Sequence, residues 1–319
     1  MLTPEILHYL AAGLAIALGS IGAGIGQGIA ALGSAESISR QPLGNDQIFR
    51  TMVIGLAFIE SGVIFAFVIT LLTLFASPAQ ITFPVAIAEL GVAIAIGIAA
   101  LVVSIASSFA VKATCSSISR QPFFAQKITT LMLLSQSIME APVVFTFIIA
   151  LIVRAGLTET MTIYLGIKYL AACLCMALGC IGPSCGQAIF AKSACNSAGL
   201  NKDAYSKIFT FSIINEAVIE TPVIFCLLIS ILLIIMPLPT ATPLSSTIAF
   251  LIAGITIGIG SFGTAVSLGY VGSKSCYQLA LEPKNYAALF RSTLFAQAFI
   301  ESSVIYSLII ALFLITKSF

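Results

Sequence analysis

Apolar residues run uninterrupted by more than an occasional polar one in eight places, near 6–34, 51–76, 81–112, 128–153, 161–191, 206–236, 246–273 and 290–316. Runs longer than about 18 residues with few charges predict transmembrane helices, because a helix rising 1.5 Å per residue needs about 20 of them to cross the hydrocarbon layer. Polar residues gather between the first and second run of each pair, so the pattern predicts four helical hairpins.

Composition closes off the alternatives to a membrane fold. The chain is 59% hydrophobic and 8% charged, with a mean hydropathy of +1.12, too little polarity to clothe a water-facing surface. The fold class expected is all-α membrane protein with eight transmembrane helices. The first run has no basic leader and is too long and glycine-rich for a cleavable signal, so it reads as a retained helix. Eight cysteines lie mostly in apolar segments without metal-ligand spacing to the single histidine, His8, and read as small packing residues. The net charge of +2 says nothing about nucleic acid, and no nucleic-acid partner is expected.

The placement of the charges is more telling than their sum. Eleven of the 14 basic residues lie in or beside the odd-to-even connections: Arg40, Arg50, Lys112, Arg120, Lys127, Lys192, Lys202, Lys207, Lys274, Lys284 and Arg291. The positive-inside rule then puts these loops in the cytoplasm and the uncharged connections at 76–82 and 237–243, with both termini, outside. Arg154, Lys168 and Lys317 are the exceptions.

The hairpins are copies of one another. Ile59-Glu60-Ser61, Met139-Glu140-Ala141, Ile219-Glu220-Thr221 and Ile300-Glu301-Ser302 are one motif, returning at an almost constant interval. The loop Ser37-Ile38-Ser39-Arg40-Gln41-Pro42 returns unchanged as Ser117-Ile118-Ser119-Arg120-Gln121-Pro122, and each arginine keeps the same distance from its glutamate. The third and fourth loops have drifted to Leu200-Asn201-Lys202 and Leu281-Glu282-Pro283. Repeat boundaries fall at 1–79, 80–159, 160–240 and 241–319. Small residues crowd the first helices, most densely Gly19, Gly22, Gly24, Gly26 and Gly28, echoed by Gly179, Gly182, Ser184 and Gly186, which lets backbones approach closely in an inner layer.

Glu60 follows Arg50 by ten residues, about 15 Å along a helix, which sets it near mid-bilayer with the other three at equivalent depth. A carboxyl group there has to be protonated, bind a cation or meet a counter-charge. One such acid could be a protonated group in an interhelical hydrogen bond; four in register call for a shared function.

A glycine-rich helix, an Arg-Gln-Pro loop and a mid-membrane acid within one hairpin resemble the c subunit, or proteolipid, of F-type ATP synthases, repeated four times over the whole chain. The resemblance implies an arc of a c-ring, with glycine-rich helices inside and carboxyl-bearing helices outside. It implies ion-binding Glu60, Glu140, Glu220 and Glu301, which take up a cation from one half-channel of a stator a subunit and release it to the other. The polar loops, Arg40, Gln41, Pro42, Arg120, Gln121 and Pro122, would contact the central stalk. Implied partners are further copies in the ring, the stator a subunit, the central stalk and membrane lipid; the implied setting is a bacterial inner membrane. The chain itself would be a non-catalytic subunit without cofactor, since it has no nucleotide-binding loop.

Protons are the default cargo and sodium the alternative. Sodium-carrying members resemble this chain in a glutamine on the first helix ahead of the loop arginine, a hydroxyl after the glutamate and a backbone carbonyl just before it. Gln27 and Ser61 match in the first hairpin and Gln187 and Thr221 in the third; the equivalents are Ser107 and Ala141 in the second, Leu268 and Ser302 in the fourth. Pro142 and Pro222 should free the carbonyls of Ile138 and Val218. Gln136, Glu216 and Gln297, one turn before their acids, are placed to hold the carboxyl group or a water, and Glu216 with Glu220 could share a proton or cation. These amides and hydroxyls could equally serve as interhelical glue. Competing classes are a V-type or archaeal-type rotor, where fused hairpins are more usual, a secondary transporter with parallel repeats, and a structural proteolipid. Apart from the prolines the helices read as continuous, which speaks against a transporter.

Overall fold

The computed structural model describes residues 3–238 and 243–316, and all the regular structure in them is helical. The described residues form α1 (Pro4–Arg40), α2 (Asn45–Phe75), α3 (Phe83–Arg120), α4 (Ala125–Met139), α5 (Ala141–Ala155), α6 (Ile163–Gly179), α7 (Ile181–Leu200), α8 (Tyr205–Ile235), α9 (Pro243–Leu281) and α10 (Tyr286–Thr316). These helices make eight membrane-length spans, because α4 with α5 and α6 with α7 are each one span with a local interruption. Part of the connection at 237–243 and Lys317, one of the three basic exceptions, lie outside the described residues.

The interruptions have a common cause. Pro142 and Pro183 cannot donate to the preceding turn, and the helix is relieved at Glu140 and Cys180, which keep right-handed helical dihedrals. The break at Pro183 has no forewarning in the apolar pattern, and Pro222 departs from expectation in the other direction, sitting inside an unbroken α8. The spans also run farther than their apolar cores: α1 and α3 continue through the polar residues to Arg40 and Arg120, about two turns beyond the hydrocarbon-like stretch.

Each span pair is joined by the same tight connection. Gln41 and Gln121 leave the helix at φ −141°, ψ 81° and φ −137°, ψ 71°, as the residue before a proline must, and Pro42 and Pro122 open a single 3₁₀ turn. The drifted loops keep this shape. Asn201 replaces the proline constraint with its own side chain, which accepts from the Asp203 N–H at 3.0 Å, and Glu282 precedes Pro283.

The first helices of the hairpins pack side by side: α1 on α3, α3 on α6 and α7, and these on α9. A Cβ added to Gly26 would lie 2.6 Å from the Ser104 carbonyl oxygen, and one on Gly182 would lie 2.5 Å from the Phe262 Cα, so backbone rests on backbone. The second helices flank this row, those of hairpins 1 to 3 each over the seam between its own first helix and the next, and α10 against α9. The row is open. About two-thirds of the most apolar window of each middle first helix is buried, against 39% in α1 and 44% in α9, so hairpins 1 and 4 are uncovered edges and the eight spans do not close on themselves.

A buried ionic cluster ties hairpins 1 and 2 at the end away from the loops. Glu89 is 1% exposed; it meets His8 Nδ1 at 2.7 Å, the Ser77 hydroxyl and Arg154 Nη1 at 3.7 Å. Arg154 also donates to Thr73 Oγ1 at 3.0 Å and the Leu72 carbonyl at 2.5 Å. Lys168 similarly donates to the Ile234 carbonyl at 3.1 Å. Two of the three basic residues away from the loops are therefore consumed inside the fold. Removing the cation by Arg154→Ala leaves Glu89 buried and short of counter-charge, and a loss of about 3–5 kcal/mol is expected. Thermal dissociation of the purified protein should report it, with Glu89→Gln milder than Arg154→Ala.

Candidate ion-binding site

Glu60, Glu140, Glu220 and Glu301 occupy one and the same position counted from the starts of their second spans, at Asn45, Ala125, Tyr205 and Tyr286. The offset amounts to about 22 Å along each helix, so the repeat sets all four carboxyls at one level. Glu140, Glu220 and Glu301 are half-buried and Glu60, at the open edge, is exposed.

The best-formed site lies between two hairpins. Ser61 Oγ of hairpin 1 is 2.7 Å from Glu140 Oε1 of hairpin 2 and 2.7 Å from the carbonyl oxygen of Phe58. A hydroxyl has one proton to give. With Glu140 ionised, Ser61 donates to it; with Glu140 protonated, the acid donates to Ser61 and Ser61 donates to Phe58, so both states are satisfied. The hydroxyl after Glu60 thus serves the acid of the following hairpin. The sequence motif sets Ser61 beside Glu60, and the structure assigns its hydroxyl to the acid one repeat on.

The same arrangement supplies different partners at each junction. Ala141 gives the Glu220 junction no hydroxyl. Thr221 Oγ1 donates to the Val218 carbonyl at 2.5 Å, so the carbonyl that Pro222 deprives of its helix partner is bonded rather than free. Ser302 donates to the Phe299 carbonyl at 2.7 Å and stands at the outer edge of hairpin 4. Gln27 is partly buried on the opposite edge.

The residues one turn before the acids do not reach toward them. Gln136 Nε2 donates to Ser107 Oγ at 2.7 Å and the Gly55 carbonyl at 3.2 Å; Gln297 Nε2 donates to Asn215 Oδ1 at 2.9 Å and the Leu268 carbonyl at 3.4 Å. Glu216 Oε1 accepts from Ser135 Oγ at 2.5 Å. The three residues form a belt, each bonded to the preceding hairpin at the matching position, as interhelical fastening does. Of the two roles open to them, Gln136 and Gln297 show the fastening one: their amide nitrogens bond groups other than the neighbouring acids, and their Oε1 atoms have no hydrogen-bond partner.

At the loops Arg120 donates to Ser117 Oγ at 2.9 Å and to Asn196 Oδ1 of the next hairpin at 3.1 Å, whereas Arg40 is exposed. Gln41, Pro42, Gln121 and Pro122 lie at the tips. Beside them Leu43 and Phe123 are 90% and fully exposed, apolar tips that the sequence pattern conceals because they sit amid polar residues. Cys115, Cys173, Cys175, Cys180, Cys195, Cys226 and Cys276 are buried and unbridged, and no cluster of metal-ligating side chains occurs among the described residues.

Repeated hairpins with eight membrane-length apolar helices and an acid at one level in every second span define a tandem-repeat integral membrane protein. The chain belongs to the ATP synthase C-subunit family, whose pattern it matches four times, over residues 10–73, 90–153, 170–233 and 251–314. It is thereby a rotor-subunit relative built from four family units. The ATP synthase c subunit of Geotalea uraniireducens is 52% identical over 69 residues, 22% of this chain and 76% of that protein. The second ATP synthase c subunit of Syntrophotalea carbinolica is 46% identical over 71 residues, 22% of this chain and 81% of that protein. The c subunit of Geobacter sulfurreducens is 49% identical over 69 residues, 22% of this chain and 76% of that protein. Such relatives correspond to a single hairpin of this chain.

Proposed function

We propose that copies of this chain close head to tail into a membrane ring in which Glu60, Glu140, Glu220 and Glu301 carry protons between two half-channels of a stator subunit, and that the ring thereby couples ion flow to ATP synthesis or hydrolysis elsewhere in the complex. The observation that carries the reading is the pair of unmatched edges. Gly22 and Gly182 pack against the following hairpin, but their repeat equivalent in hairpin 4, Gly263, has nothing within 4 Å of an added Cβ. Gly269 packs against Gly186 of the preceding hairpin, and its equivalent in hairpin 1, Gly28, is likewise open, as is Gly24. One edge is the key and the other the socket of the same contact, which makes a heterologous interface that closes if the rotation allows. Closure also supplies Glu60, which lacks a preceding hairpin, with Ser302 and the Phe299 carbonyl of an adjacent copy.

Proton carriage is supported by the Ser61–Glu140 geometry, which satisfies the protonated acid without a metal. The Arg-Gln-Pro loops and exposed Leu43 and Phe123 would meet the stalk on the cytoplasmic side, with the opposite ends outside a bacterial inner membrane. Sodium is the second reading, favoured by the carbonyl and hydroxyl oxygens grouped at Phe58 and Ser61.

Gly24→Leu separates closure from folding. The substituted chain should insert normally, yet native mass spectrometry of the detergent extract should show the multimer replaced by single chains of 33.3 kDa. A wild-type protein that is itself monomeric would contradict the proposal. A smaller effect is expected from Ser61→Ala, which removes one hydrogen bond of about 1 kcal/mol and should speed carbodiimide labelling of Glu140 roughly five-fold while Glu220 keeps its rate.

A further inference from the structure

Hairpin 3 carries an acid with no counterpart in the other hairpins. Glu216 occupies the position of Leu56, Gln136 and Gln297, one turn before the level of the four repeated glutamates. It is wholly buried, with Oε1 bonded to Ser135 and Oε2 without a hydrogen-bond partner.

A second buried group addresses the same space. Gln187 is 0% exposed and neither of its amide atoms, Oε1 or Nε2, has a hydrogen-bond partner. The repeat shows where it is aimed. In hairpin 2 Gln136 bonds Ser107, and in hairpin 4 Gln297 bonds the Leu268 carbonyl, in each case a residue 29 positions earlier. Glu216 and Gln187 are the matching pair of hairpin 3, and they make no direct bond. By the repeat, a carboxylate oxygen and both ends of an amide are brought toward each other in the interior, each a group that is costly to bury unsatisfied.

The neighbouring acid has changed in step. Glu220 is the one acid within the chain whose preceding hairpin offers alanine, Ala141, in place of the serine or threonine found after the other glutamates. The polar ligation missing at the level of Glu220 is present one turn, about 6 Å, nearer the loops.

We propose that Glu216 and Gln187 form a separate position for a small monovalent cation of the sodium class, held by the Glu216 Oε2 carboxylate and the Gln187 Oε1 carbonyl, with Ser135 fixing the carboxylate from hairpin 2. The proposal rests on the ring reading above. Hard oxygen donors suit such an ion, and its charge balances a second carboxylate in a hairpin that must cross lipid neutral. Glu216 has no exposed surface, so this ion is resident, whereas half-buried Glu220 exchanges its own.

The test is the sodium content of the intact ring, purified in mild detergent and equilibrated with ²²Na⁺ by dialysis. Wild-type ring should hold one more sodium ion per chain than Glu216→Gln or Gln187→Leu, each of which installs the residue that a sister hairpin uses at that position. Equal sodium content in the wild type and both variants, including none in any of them, overturns the proposal. Failure of the underlying reading has a different signature: no ring is isolated, or Glu60, Glu140, Glu220 and Glu301 do not react with carbodiimide.

Discussion

Replacing Glu140 with glutamine should reduce ion-driven ATP synthesis in reconstituted complexes to background, although three of the four acids in every chain remain. A glutamine is always neutral; it can neither release an ion to one half-channel nor take one from the other, so each chain presents a dead position once per passage. The three intact acids cannot substitute, because each stands at its own angular position in the row. The converse state is equally blocked. A bare carboxylate facing lipid is disfavoured by about 3 kcal/mol, over a hundred-fold in population, so an acid that fails to load does not pass. The check is ATP synthesis and ATP-driven ion uptake in proteoliposomes; normal coupling in Glu140→Gln would show that the hairpins are not all active. Glu89→Gln provides the control, since that buried acid belongs to the His8–Arg154 cluster and should leave coupling intact.

Gly186→Leu should prevent the chain from accumulating as a folded protein at all. A Cβ at this position would meet the Ala265 carbonyl carbon at 2.9 Å and Ile219 Cγ2 at 3.0 Å, with the Ala265 oxygen closer still. On the opposing helix Gly269 lies against the Gly186 backbone, so neither surface has a flexible side chain that can give way. Overpacking a core typically costs about 1–3 kcal/mol when side chains can repack, and backbone-to-backbone contact puts this site at or beyond the upper end. The leucine also separates α7 from α9, and with them hairpins 3 and 4. The contrast with Gly24→Leu is the sharp part of the prediction: one substitution ruins the chain, the other only the joint between chains. Protease resistance of the membrane-inserted protein distinguishes them, and a Gly186→Leu chain as resistant as wild type would contradict the packing described.

Much of this architecture is legible in the sequence because the repeat multiplies each signal. Four glutamates at one spacing, two identical Arg-Gln-Pro loops and eight apolar runs leave few alternatives for fold and level. What the repeat hides is which copy a side chain serves. Ser61 follows Glu60 in sequence but bonds Glu140, since the flank of the second helix of hairpin 1 faces the acid of hairpin 2. Gln136 and Gln297 look like partners of acids one turn away on the same helix, yet their amide nitrogens bond the Gly55 carbonyl and Asn215 of the preceding hairpins. The Glu89 cluster is invisible in the sequence for another reason. Its members come from the first and last stretches of sequence in two hairpins, and their repeat equivalents, such as Tyr9, Leu74 and Phe250, carry no trace of it. Pro183 shows the limit of local rules: whether a proline interrupts a helix, as there, or is absorbed, as at Pro222, depends on what the neighbours offer the released carbonyl. Thr221 caps the Val218 carbonyl at 2.5 Å from within the same helix, whereas the Gly179 carbonyl meets only Ser261 of the next hairpin, at 3.5 Å.

The central claim is that four acids per chain, at one level on the outer row, are the exchanging groups. Peptide-resolved carbodiimide labelling of the assembled complex in native membranes tests it most directly. The expected result is modification at Glu60, Glu140, Glu220 and Glu301, with ATP-driven ion transport lost as label accumulates at any one of them. Inhibition that tracks modification of some other residue while these four stay unmodified would contradict it.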